Sequence, residues 1–113
     1  MTISKNMIAQ TPKPPYYAVV FTSERTPGDK GYNNMAAHIE KIVHNVPGFL
    51  GMESAREQLG ITVSYWKDLK SIENWKNNPE HRKAKQRGKD EWYQTYKLRI
   101  CKVESETGFT KGQ

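Results

Sequence analysis

The segment from Gly60 to Gly88, GITVSYWKDLKSIENWKNNPEHRKAKQRG, constrains the fold more than any other part of this chain. Ile61, Val63 and Tyr65 alternate with Thr62, Ser64 and Trp66, the period of a strand. At Lys67-Asp68 the period changes. Leu69, Ile72 and Trp75 recur at helical spacing, so a helix is expected over Leu69 to Asn77. Asn78-Pro79 interrupts it. Asparagine caps a helix, proline fits the first helical position, and a second helix restarts through His81 toward Lys89. A strand feeding a broken helix through a tight turn belongs to a mixed α and β layer architecture.

The flanking segments complete the pattern. Tyr16 to Ser23 is rich in β-branched and aromatic residues and reads as the first strand. A turn at Pro27-Gly28 follows. Met35, Ile39, Ile42, Val43 and Val46 form one apolar stripe on a helix from Tyr32 to Asn45, which Pro47 ends. Phe49 to Glu57 is the second strand. Gln58 to Gly60 reverses the chain into a third, Ile61 to Lys67, and Trp92 to Val103 is the last. The order β-α-β-β-α-β predicts an α+β ferredoxin-like plait on an antiparallel sheet. Helices then cover one sheet face and leave the other bare, which predicts a homodimer through sheet faces.

The 113 residues fit one domain. Pro12, Pro14 and Pro15 mark residues 1–15 as a loose arm, residues 16–104 carry the fold, and the polar residues 105–113 are a frayed tail. No apolar run approaches the roughly 18 residues of a membrane span, and Lys5, Asn6 and Gln10 interrupt any signal region. The single cysteine, Cys101, cannot form an internal disulfide. It points to the cytoplasm and reads as a buried strand residue. The net charge is +6, with eight Lys or Arg against three Asp or Glu in residues 67–89. That basic face is a solvated helix surface. Nucleic acid is disfavoured, because the sheet lacks a spaced pair of RNA-stacking aromatics and is needed for pairing. Metal-ligand spacing and flavin or nicotinamide fingerprints are absent from the sequence, and Gly28-Asp29-Lys30-Gly31 is a simple loop. His38 and His44, six apart, read as surface histidines.

Several segments carry a resemblance: Pro47-Gly48-Phe49, TVSYWKD from Thr62 to Asp68, IENWKNNPEH from Ile72 to His81, and WYQTYKLRICKV from Trp92 to Val103. Over residues 16–104 the chain resembles the antibiotic biosynthesis monooxygenase (ABM) family of the dimeric α+β barrel superfamily. The resemblance implies a barrel built across a dimer, with a cavity between helices and sheet in each subunit. It implies a small, cofactor-independent monooxygenase that oxidises an aromatic or phenolic substrate. Two alternatives accompany it: a haem-binding or haem-degrading protein, and a non-catalytic dimeric ligand-binding or stress-related domain. The haem-degrading branch pairs an asparagine on the first strand with a tryptophan on the second helix and a histidine ten residues later. Trp75 matches the tryptophan, Lys85 stands at the histidine position, and Tyr16 to Ser23 holds no asparagine.

Within that frame His81 is the candidate general base, since its unperturbed pKa permits proton transfer near neutrality. Trp75 is either core or a cavity wall that stacks on a flat ligand. Both are the candidate catalytic residues. Trp75, Tyr65, Lys85 and Arg99 are the candidate substrate contacts, with Lys85 one turn beyond His81 to balance an anion. Trp66, Trp92, Tyr93 and Tyr96 read as packing residues.

Overall fold

The structure is a computed structural model and describes residues 7–112. The first six residues of the expected arm and Gln113 of the tail lie outside the described residues. The elements are β1 (Tyr16–Arg25), α1 (Tyr32–Val43), β2 (Phe49–Arg56), β3 (Leu59–Trp66), α2 (Leu69–Lys76), α3 (Pro79–Arg87), a π-helical turn (Gly88–Trp92) and β4 (Tyr93–Val103). All sheet pairings are antiparallel, in the order β2-β3-β1-β4 of the ferredoxin-like plait.

The expected barrel does not form. The sheet is open, with β2 and β4 as its two edges. Four strands span too little circumference for their edges to meet, whereas about eight strands make the small closed barrels.

Capping chemistry starts each helix. The Asp29 carboxylate accepts from the Gly31 N–H at 2.9 Å and the Asn33 N–H at 3.1 Å, opening α1. Asp68 Oδ1 accepts from the Ser71 N–H at 2.8 Å and from its hydroxyl at 2.7 Å, opening α2. Asn78 Oδ1 accepts from the N–H groups of Glu80 and His81, with Pro79 first in α3. Each side-chain oxygen satisfies an amide that the helix cannot.

The register assigns the faces. Trp66 lies opposite Tyr17, and Ser64 opposite Val19. These share the helix-covered face with Met52, and Val43, Trp66 and Trp75 form the buried centre there. The bare face carries Ala18, Val63, Tyr65 and Cys101. Cys101 is exposed rather than buried, because β4 is an edge strand and none of the described residues covers it there. Arm and tail touch the bare face near one end. Glu53 accepts the Ala9 N–H at 3.0 Å, and Tyr16 donates to the carboxylate of Glu106.

Two glycines have specific causes. Gly48 sits at φ +87, and a Cβ there would lie 1.9 Å from Ser71 Oγ, so the turn closing α1 needs glycine. Gly60 was expected in a reversal but is a strand residue, paired with Ser23 and Arg56. A Cβ on Gly60 would fall 2.1 Å from the Arg56 guanidinium, which crosses directly over it. Isolated glycine inside a strand signals such a close approach.

Candidate functional site

A ladder of aromatic rings runs from sheet to helix. Phe49 meets Trp66 edge-on, with centroids 5.3 Å apart. Trp66 stacks on Trp75 at 6.4 Å, and Trp75 stacks on His81 at 4.3 Å with only 13° between the planes. The ladder arises because Trp66 ends β3 on the helix face and Trp75 ends the inward stripe of α2. The Asn78 cap then turns α3 back so that its first turn lies against Trp75.

His81 sits in a defined electrostatic state. Burial pushes its pKa down from 6.5 to about 4, and the Lys85 ammonium adds to this, against a hydrogen bond that favours the cation. The imidazole is therefore neutral near pH 7. Its Nδ1 lies 3.1 Å from the carbonyl oxygen of Trp75. A carbonyl only accepts, so Nδ1 carries the proton and Nε2 keeps its lone pair. The pairing prepares an acceptor, and the stack on Trp75 fixes the ring plane.

Lys85 is one turn along α3, and burial together with Lys76, Lys89 and Arg82 lowers its pKa. Trp75, His81 and Lys85 thus come together. Tyr65 and Arg99 do not join them. Tyr65 lies on the bare face, where its hydroxyl donates to Glu53 at 2.6 Å and burial raises its pKa. Arg99 lines a cavity of about 210 Å³ with Thr22, Glu24, Leu59 and Lys97 at the other end of the sheet. A second cavity, of about 470 Å³, lies between the arm, α1 and β2 and includes His44 and Glu53. Neither of these two cavities includes Trp75 or His81.

A second constellation escaped the sequence reading. Arg25 lies over the ring of Tyr32 at 3.7 Å, and Arg56 lies 5.9 Å from the same centroid. Tyr93 meets Tyr32 edge-on at 6.0 Å, and its hydroxyl pKa is pushed up by burial and by Tyr32. Arg56 donates to the hydroxyl and the carbonyl oxygen of Ser23. The available signal was Gly60, a strand glycine over which the Arg56 guanidinium passes. Among the described residues, no group of three His, Cys, Asp or Glu side chains is placed to hold a metal ion. No helix among them is long and apolar enough to cross a membrane.

The chain is 42% identical over 106 residues to the Bacillus subtilis protein YqjZ, covering 92% of this chain and 93% of that one. It is 26% identical over 92 residues to the jasmonate monooxygenase ABM of Pyricularia oryzae, covering 77% of this chain and 43% of that enzyme. In fold it is similar to SnoaB, a cofactor-independent oxygenase from Streptomyces nogalater. That match has a TM-score of 0.67 at 12% identity and covers 88% of this chain and 100% of SnoaB. The family model for antibiotic biosynthesis monooxygenase matches residues 29–87, the stretch from the cap of α1 through both tryptophans of the ladder to the end of α3. With that match over more than half its length, the chain belongs to the antibiotic biosynthesis monooxygenase family.

Proposed function

We propose that this protein is a small cofactor-independent oxygenase that oxidises an aromatic or phenolic substrate beside the Trp75–His81 pair. The observation that carries this reading is the neutral imidazole of His81, tied through Nδ1 and leaving Nε2 as an acceptor. Family membership supports it, as do the similarities to SnoaB, a cofactor-independent oxygenase, and to the jasmonate monooxygenase. Nε2 accepts the hydrogen bond of an acidic substrate hydroxyl and polarises it toward the anion. The Lys85 ammonium balances that anion. The electron-rich anion then reduces oxygen. A CH2 group and O2 give C=O and H2O, one oxygen atom entering the substrate and the other leaving as water. All four electrons come from the substrate, so no external reductant is needed.

Anthrone tests this directly, since its CH2 becomes the carbonyl of anthraquinone. The expected result is one O2 consumed per anthrone oxidised. The rate falls about a hundredfold in His81→Phe, the low end of general-base effects. A rate no faster than air oxidation, or one unchanged in His81→Phe, sinks the reading.

We also propose that a second copy covers the bare sheet face, where Leu59 is 48% and Ile61 42% exposed. Sedimentation velocity at micromolar concentration is expected to give a dimer, and Ile61→Glu a monomer. A wild-type monomer under those conditions removes this assembly.

A further inference from the structure

We infer that the Arg56–Tyr32 cluster and the helix-side strip of β4 together bind a small apolar carboxylic acid, with the carboxylate held by Arg56. This inference depends on the oxygenase reading only for the fate of the ligand after it binds.

The first ground is uncompensated charge. Arg25 and Arg56 flank one tyrosine ring, and both are half-buried. The ion pairs among the described residues are His38–Glu80 and Arg87–Glu91, so neither guanidinium has a carboxylate partner there. Two cations held together without a counter-ion create a site that favours an anion. Their donors are not equally committed. Arg25 donates to the carbonyl oxygens of Trp92, Gly28 and Asp29, which holds the loop before α1. Among the described residues, Arg56 donates to Ser23 alone. A guanidinium has five N–H donors in a planar fork, so Arg56 keeps capacity for a carboxylate.

The second ground is construction. Arg56, Gly60, Ser23 and Tyr96 form one row across all four strands on the helix side. The guanidinium reaches Ser23 by crossing Gly60, where a Cβ would lie 2.1 Å from it. A flexible surface arginine would not need such a channel. Ser23 is 2% exposed, so the anchor at its far end is fixed.

The third ground is the apolar strip that continues from this row. Phe21 packs on Tyr93 and Tyr96 at 5.3 and 5.2 Å. Beyond them Leu98 is 48% and Ile100 51% exposed on the same side of β4. From Tyr96 to Ile100 the strand covers about 13 Å. That length suits an apolar body of roughly eight to ten carbons lying along the strand with its head group at Arg56. Inorganic phosphate would use the cations and leave the strip wet. A neutral hydrocarbon would use the strip and leave the cations unpaired.

The test uses 4-phenylbutyrate and its uncharged amide, titrated into the ¹⁵N-labelled full chain. The acid is expected to bind saturably and to shift the amides of Ser23, Tyr32, Arg56 and Tyr96 to Ile100. The amide is expected to bind at least tenfold more weakly, as is the acid to Arg56→Gln, through loss of a charge-assisted bond. Equal binding of acid and amide, no binding of either, or shifts confined to Trp75 and His81 overturns the inference. The wild-type map alone decides it if Arg56→Gln does not fold. Binding is read without turnover. A protein that binds the acid yet never consumes oxygen loses only the oxygenase reading, and anthrone turnover without acid binding loses only this one.

Discussion

Trp66→Ala lowers the unfolding free energy by about 3–5 kcal/mol, the range for deleting a fully buried large aromatic side chain. Trp66 is 1% exposed and lies at the centre of the buried cluster with Val43 and Trp75. It meets Phe49 on one side and Trp75 on the other, and its indole N–H donates to Ser64 Oγ at 2.9 Å. Alanine leaves a cavity where β2, β3, α1 and α2 converge, and also leaves the Ser64 hydroxyl without its donor. In a domain this small such a loss is a large share of total stability. Urea denaturation of wild type and variant at one pH gives the value. A difference below about 1 kcal/mol would mean that the packing centre lies elsewhere.

The second large effect is a dependence of stability on pH through His81. Its folded-state pKa, about 4, lies below the ordinary 6.5 because burial opposes the charge. Between these values the unfolded chain binds a proton that the folded chain refuses, so stability falls as pH falls. The loss begins near pH 6.5 and is complete near pH 4. Its ceiling is about 3 kcal/mol, at roughly 1.4 kcal/mol per pKa unit. His81→Phe keeps a flat ring against Trp75 and removes the proton. The difference in unfolding free energy between wild type and His81→Phe should therefore shift by up to that amount from pH 7 to pH 4. A constant difference across this interval would show that His81 titrates as an exposed histidine.

The plait was legible in the sequence because its signals were local. The strand period, the change at Asp68 and the Asn78-Pro79 break each act within a few residues, and the structure follows them closely. Burial of Trp75 was legible in the same way, from one helical stripe. Three features were not. Cys101 alternates like a core residue, but whether its side of β4 is covered depends on layers far away in sequence. Tyr65 and Arg99 look like aromatic and cationic site residues, yet strand parity places both on the face opposite His81. The cluster of Arg25, Tyr32, Arg56 and Tyr93 draws on four separate elements, so no window of sequence contains it. Gly60 was the one residue that reported it, and beside Gln58 and Leu59 it resembled a turn glycine.

β4 is the longest strand and an edge strand, and that combination has a consequence for solubility. Its outer side presents a row of N–H and C=O groups that another β-strand could continue. Lys97, Arg99 and Lys102 are spaced along it on both faces. A second β4 added parallel and in register, as in a fibril, would bring these cations against their own copies at about 5 Å strand spacing. The same strand that offers an apolar strip on one face thereby refuses to grow sideways into a fibril.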